Sequence, residues 1–211
     1  MRVSRLPGGP WKQNCFMVAD GGDAVLIDPG GNAAGILAHL SESGLRLQGV
    51  LNTHGHFDHL GAVCEVMRQS GAPLFISDQE APIMRSSNLL RFIFRSTEPV
   101  EVPDSWTNLD GLEGMTGDVP LGIECIATPG HTPGSYCFRI GDHLFGGDTV
   151  LPRAPGNTML PGGDALAIEV SLAALRELPP TMVLHPGHGR DQPLHEALHT
   201  IAARSSVTHT A

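Results

Sequence analysis

The sequence predicts an α/β fold built as one domain over residues 1–211, and three observations carry that reading. The first 76 residues alternate short apolar strands with amphipathic helices in β-α-β-α-β order. A run of short strands separated by turn residues follows between Leu121 and Phe145, and a helix-strand-helix unit closes the chain. With 211 residues, 41% hydrophobic and 17% charged, the chain can bury one core without needing a second.

Taken in order, Asn14 to Ala19 and Ala24 to Ile27 read as strands around the hairpin signal Asp20-Gly21-Gly22-Asp23, and Asp28-Pro29-Gly30-Gly31 breaks the second. Ala33 to Ser43 reads as a helix, because Ile36, Leu37 and Leu40 share a face and Gly44 stops it. Leu47 to Asn52 is a buried strand, Leu60, Val63, Cys64 and Met67 recur at helical spacing up to Gly71, and Pro73 to Ile76 is another strand. Asp78 to Gly111 is the least regular stretch. Its helix, placed at Asn88 to Arg95, carries Leu89, Leu90, Phe92, Ile93 and Phe94, which suits a hydrophobic lid, a dimer contact or a core-packed connector. Strands are expected at Leu121 to Ala127, Tyr136 to Ile140 and His143 to Phe145, with Gly141-Asp142 as a turn. A helix from Ala165 to Leu178, a strand from Thr181 to Leu184 and a helix from Pro193 to Ala203 complete the chain.

Composition excludes several classes. No apolar run approaches the roughly 18 to 20 residues of a membrane span, and Pro7, Gly8, Gly9 and Pro10 stand where a signal peptide needs an apolar segment. A cytoplasmic enzyme is the resulting expectation. A formal charge of -9 and a single lysine, Lys12, argue against a nucleic-acid groove, which needs clustered cations; a small molecule is the expected partner. Cys15, Cys64, Cys125 and Cys137 lie far apart in apolar stretches without a C-x-x-C pair, so they read as buried thiols. Eleven histidines are the anomaly, and their placement directs the functional reading.

Thr53-His54-Gly55-His56-Phe57-Asp58-His59 sets three imidazoles and a carboxylate at the junction of a buried strand and a helix. In extended backbone His54 and His56 project to one side, Gly55 permits a bend between them, and Asp58 and His59 fall at the helix start. Asp58 alone would be an ordinary residue at a helix N-terminus. Three histidines and a carboxylate in one loop have no comparable structural explanation, since each buried imidazole needs a partner. Three later loops, each following a strand, offer one further ligand apiece: Thr128-Pro129-Gly130-His131-Thr132, Gly146-Gly147-Asp148-Thr149 and His185-Pro186-Gly187-His188-Gly189.

Together and in this order, these elements resemble the metallo-β-lactamase superfamily over nearly the whole chain, beginning with its H-x-H-x-D-H motif. The resemblance implies a four-layered αββα sandwich with two metal ions at one edge of the sheets. His54, His56 and His131 would hold one ion, Asp58, His59 and His188 the other, and Asp148 would bridge. Nitrogen and oxygen donors without thiolate suit zinc, and iron or manganese equally. Bound ions would acidify a water and polarise a carbonyl, and Asp58 would orient that water as the catalytic carboxylate. Asp28 is expected to support the site loop. His185, His39, His143, His195, His199 and His209 match no ligand position and are read as structural or surface residues.

Within the superfamily the chain is similar to short bacterial hydroxyacylglutathione hydrolases (glyoxalase II). The resemblance rests on Gln13-Asn14-Cys15, Thr53 to His59, Thr128 to Gly134, Leu160 to Asp164 and Pro186 to Gly189, and implies cleavage of a thioester such as S-D-lactoylglutathione. Two departures bear on substrate. Only about two dozen residues follow His188, so the separate helical glutathione-binding domain of longer relatives is not expected. Asn157 also stands where the family usually has a basic residue. Arg153, Asn157 and Arg190 are the candidate substrate contacts. A persulfide dioxygenase with one iron on His54, His131 and Asp148, and a lactonase or β-lactamase, are the competing enzymes. A non-catalytic binding module would not need all seven ligands.

Overall fold

Strand pairing divides the chain into two sheets. The computed structural model describes residues 1–6, 8–9, 11–94, 99–112 and 119–208, with backbone only for 205–208. Pro7, Pro10, Arg95 and His209, which figure in the expectations above, lie outside the described residues. The first sheet runs β1 (Arg2–Leu6), β2 (Cys15–Asp20), β3 (Asp23–Ile27), β4 (Arg46–Leu51), β5 (Leu74–Ile76) and β6 (Thr107–Asn108). The second has spatial order β11 (Gln192–Pro193), β10 (Val183–Pro186), β9 (His143–Gly147), β8 (Tyr136–Ile140) and β7 (Glu124–Ala127).

Both sheets are covered on both faces, and three apolar clusters follow from that. Phe16, Val18, Val25, Ile27 and Leu51 of the first sheet meet Cys125, Tyr136, Phe138 and Phe145 of the second. The alternate residues Met17, Leu26 and Val50 face outward against α1 (Ala33–Ser43), α3 (Val63–Ser70) and α4 (Ala81–Ile93). On the far side, Cys137, Leu144 and Leu184 pack against α5 (Ala165–Leu175) and α6 (Leu194–Thr208). The result is the expected four-layered αββα sandwich. Its strands are near-continuous apolar runs because neither face meets water.

This topology places the site. β9 and β10 are parallel, and β7 runs antiparallel to β8 and hence parallel to β9, so all three end at one edge. β3 and β4 are parallel and end together, and Tyr136 N–H donates to Thr53 O at 2.8 Å across the sheets. The loops after β3, β4, β7, β9 and β10 therefore converge.

Several local expectations are corrected. Arg2–Leu6 forms an edge strand paired with β2, unforeseen because its polar, half-exposed residues lack an apolar rhythm. The helix placed at Asn88 begins at Ala81, with Pro82 tolerated in its first turn, and buries Ile83, Met84, Ser87 and Leu90 while Leu89, Phe92 and Ile93 remain exposed. The strand expected from Leu121 starts at Glu124, because Pro120–Gly122 is a single 3-10 turn with Leu121 at φ 61°. Strand β10 is displaced toward Pro186, α5 stops at Leu175 rather than Leu178, and α6 continues to Thr208. Cys64 is half-buried rather than buried, its thiol 3.4 Å from Glu101 O, whereas Cys15, Cys125 and Cys137 are buried thiols outside any disulfide. No helix among the described residues is long and apolar enough to cross a membrane.

Candidate metal centre

Strand β4 ends at Leu51, and the chain then passes through Asn52 and Thr53 into the histidine loop before the short helix α2 (Phe57–Leu60). His56 leaves from extended backbone, whereas His59 returns from the helix toward His54 and His56. Gly55 is required for space rather than for a special backbone angle: a Cβ there would lie 2.8 Å from Met84 Cγ and 3.1 Å from Glu80 Oε2. Gly187 has the same function before His188, since its Cβ would fall 2.3 Å from Asp148 Oδ1.

Three overlapping groups result: His54, His56 and His131; His54, His59 and Asp148; and Asp58, His59 and His188. Within each, the donor atoms lie no more than 4.8 Å apart. All seven sequence-predicted ligands are therefore brought to one place. His131 Nε2 lies 2.9 Å from His56 Nδ1 and 3.8 Å from Asp148 Oδ2. His188 Nε2 is 3.1 Å from Asp58 Oδ2 and 3.7 Å from Asp148 Oδ2, and His59 Nε2 is 3.7 Å from Asp148 Oδ1.

The surrounding hydrogen bonds determine which ring nitrogens keep a free lone pair. Thr53 Oγ1 donates its one proton to Asp28 Oδ2 at 2.7 Å, so at 3.0 Å it can only accept from His54 Nδ1–H. His54 Nε2 is then bare. Asn157 O, a carbonyl, accepts from His131 Nδ1–H at 2.9 Å, which leaves His131 Nε2 unprotonated, facing His56 Nδ1 at 2.9 Å. Asp28 Oδ2 sits 3.0 Å from His59 Nδ1 and directs the lone pair of His59 Nε2 inward by the same logic. Asp28 also accepts from Thr53 N–H at 2.7 Å, and it holds this position at φ 50°, a left-handed conformation that aspartate tolerates. The supporting role expected of Asp28 is thus given a geometry.

The buried atoms His54 Nε2, His56 Nε2, His59 Nε2 and Asp148 Oδ1 have no hydrogen-bond partner among the described residues. Such orphans in one cluster would be costly unless a ligand satisfied them, and the donor atoms gathered here, with His56 turning Nδ1 toward His131, suit a cation. Electrostatics point the same way. Burial alone would lower the His59 imidazole, yet Asp28, Asp58 and Asp148 outweigh it and push it up to about 10, a demand for positive charge at this point. Burial and neighbouring imidazoles hold His54 well below its ordinary value and bring His56 down to about 3, while burial lowers His131 too; these three are neutral donors. Burial opposes the charge on Asp58, but His59 and His188 hold its carboxyl below the usual range.

Glu80 belongs to the site and was missed from sequence. Fully buried, its carboxylate accepts from Gly55 N–H at 2.7 Å and Gly134 N–H at 2.8 Å, tying the loop of His54 and His56 to the loop of His131. The only signal is Ser77-Asp78-Gln79-Glu80, which reads as a routine capping box. Asn14 similarly donates to Pro186 O at 2.8 Å and Gly189 O at 2.9 Å, bracketing His188.

A cavity of about 250 Å³ opens over the cluster, with His56, Asp58, His131 and Asp148 at its floor and Trp11, Phe57, Leu90, Phe94, Leu151, Asn157 and Leu160 around it. Arg153 and Arg190 are exposed and do not line it, a correction: nearness in sequence to a ligand loop does not decide which way the next residue projects. Asn157 does reach the cavity, but its side-chain oxygen accepts from Met159 N–H at 2.8 Å. His185 is buried apart from the cluster, 2.8 Å from His143 and stacked on Phe145; His39 lies on α1, and His195 and His199 are exposed on α6.

Residues 8–188 match the model of the metallo-β-lactamase superfamily. The probable metallo-hydrolase YqgX of Bacillus subtilis (strain 168) is 30% identical over 197 residues, covering 90% of each chain. The hydroxyacylglutathione hydrolase GloC of Haemophilus influenzae is 30% identical over 200 residues, covering 90% of this chain and 91% of GloC. The di-iron-bound crystal structure of TTHA1623 superposes with a TM-score of 0.85 at 31% identity, covering 94% of this chain and 98% of that one. The chain belongs to the metallo-β-lactamase superfamily and is a metal-dependent hydrolase.

Proposed function

We propose that this member of the metallo-β-lactamase superfamily is a thioester hydrolase acting on small molecules of the S-D-lactoylglutathione type, with two divalent ions, zinc by preference, held by His54, His56, Asp58, His59, His131, Asp148 and His188 in one domain spanning residues 1–211. The observation that carries it is the pair of complete donor triads, with Asp148 within 3.8 Å of His59, His131 and His188, beneath an open cavity. Its similarity to GloC supports the choice of a thioester.

When bound, the ions would supply an acidified water and a polarised carbonyl oxygen. Asp58 borders the cavity and is held ionised, so its carboxylate can accept a hydrogen bond from the attacking water and orient it. Attack on the carbonyl carbon breaks the C–S bond, giving an acid and a thiolate. Because a thiolate leaves readily, no separate proton donor is needed. Asp28, Thr53 and the Asn157 carbonyl present the imidazole lone pairs in fixed directions, and Glu80 holds two ligand loops together.

The test is metal analysis together with steady-state assays on S-D-lactoylglutathione, a simple lactone and a β-lactam, plus oxygen uptake on glutathione persulfide by an iron-loaded sample. About two metals per chain with thioester cleavage is the expected result. Preference for the lactone or β-lactam would reject the thioester, and oxygen uptake without thioester cleavage would reassign the protein as a dioxygenase.

A further inference from the structure

The walls of the cavity differ sharply from its floor. Trp11, Phe57, Leu90, Phe94, Leu151 and Leu160 supply apolar surface, and among the described residues no lysine or arginine lines it. Trp11, Phe57 and Phe94 pack as one aromatic group: Trp11 meets both phenyl rings edge-on at 5.4 and 6.0 Å, and the phenyl rings stack at 6.0 Å. Beyond this wall the apolar character continues. Phe92, beside the lining residues of α4, is 76% exposed, and Met159, next to Leu160, is 89% exposed.

Glutathione thioesters present the opposite chemistry, because the tripeptide carries two carboxylates and an ammonium at its ends, away from the reacting sulfur. A carboxylate set against this wall would lose water without gaining a cation from the described lining residues. At about 250 Å³ the cavity is also below the roughly 300 to 1,000 Å³ usual for sites enclosing drug-sized ligands. It suits a short chain better than a tripeptide.

We infer that the preferred substrate among small-molecule thioesters is an uncharged one bearing a short apolar chain, which Trp11, Phe57, Leu90, Phe94 and Leu160 bind beside the metal-ligand cluster. This rests on reading the cavity as the substrate site of a thioesterase, and the experiment separates the two claims. Acyl thioesters of N-acetylcysteamine from acetyl to hexanoyl vary one side of the sulfur, and acetyl thioesters of ethanethiol to hexanethiol vary the other. In one series each methylene is expected to raise kcat/KM by about two- to fourfold. The longest member should then exceed S-D-lactoylglutathione by at least about tenfold, and Leu160→Ser should flatten the gradient. Flat or falling profiles in both series would overturn the inference. So would a preference for lactoylglutathione with a KM that rises with salt, the sign of a screened ionic contact. If hexanoyl phenyl esters show the gradient while matching thioesters are not cleaved, the thioesterase reading fails and the pocket inference stands. Binding gives a readout independent of turnover. In calorimetric titration of the metal-free protein, S-hexyl-N-acetylcysteamine should bind at least about tenfold tighter than its S-methyl analogue, and equal or undetectable binding of both would overturn the proposal.

Discussion

In the ligand cluster beneath the cavity, Nδ1 of His54, His59 and His131 each faces a polar partner, respectively Thr53, Asp28 and the Asn157 carbonyl. On the wall a few ångströms away, Trp11, Phe57 and Phe94 meet one another through ring faces and edges. The first region is directional, because a hydrogen bond fixes both a tautomer and an angle. Ring packing is tolerant, because dispersion and burial depend on area more than orientation. The difference teaches how one fold can keep its chemistry while changing its substrate: substitutions on the wall alter what binds, and substitutions beneath the floor alter whether a metal binds at all.

Asp148→Ala should break this comparison most severely. It removes the carboxylate that lies within 3.8 Å of His59, His131 and His188 and should lower metal content and reduce activity by about 100-fold or more. Asn157→Ala keeps the backbone carbonyl that holds His131, so metal content should persist. Elemental analysis and turnover of the two variants measure the contrast, and identical metal content and activity in both would contradict the assignment.

Asp28→Asn comes next, since asparagine also tolerates φ 50° but places an amide group against donors that now meet a carboxylate. Metal affinity measured by chelator competition should fall by about 10- to 100-fold. An unchanged affinity would show that His59 and Thr53 orient without it.

Glu80→Gln sharpens the comparison from the folding side. It leaves an N–H donor of Gly55 or Gly134 without its carboxylate acceptor and should cost about 1–3 kcal/mol. Burial pushes the Glu80 carboxyl above its ordinary range, even though Thr132, Gly55 and Gly134 donate to it. With the folded value raised, its stability contribution is complete below the ordinary glutamate range and is lost as pH rises through the folded value. The glutamine variant should lack that slope in Tm measured against pH.

The smallest effect belongs to Arg5→Ala. Arg5 meets Asp191 at 2.5 Å, but both are more than a third exposed, so the loss should stay below about 1 kcal/mol. Burial opposes the Asp191 carboxylate, yet His185 and Arg5 hold it below the usual range. Its contribution is therefore present above the ordinary aspartate range and lost as pH falls through the folded value. The difference between wild type and variant should shrink in acid, and a larger difference there would reject this account.

From sequence alone the seven donor residues, the four loops that carry them and the alternation of strands and helices could be read, because each has a local signature, while the layered sandwich came from the family resemblance. A histidine-rich loop, a glycine-bounded turn after a strand and an apolar run are all patterns among neighbours in the chain. Tertiary structure decided the rest. Glu80 lies 25 residues from Gly55 and 54 from Gly134, and only the fold shows that a residue resembling a helix cap is a buried bridge between ligand loops. Trp11, Leu90 and Leu160 meet around one cavity from distant segments, whereas Arg153 and Arg190, closer in sequence to the ligands, stay outside it. The physical reason is range: backbone preferences and side-chain periodicity act over a few residues, while the partner of a buried polar group and the wall of a cavity are set by whichever elements the sheets bring together.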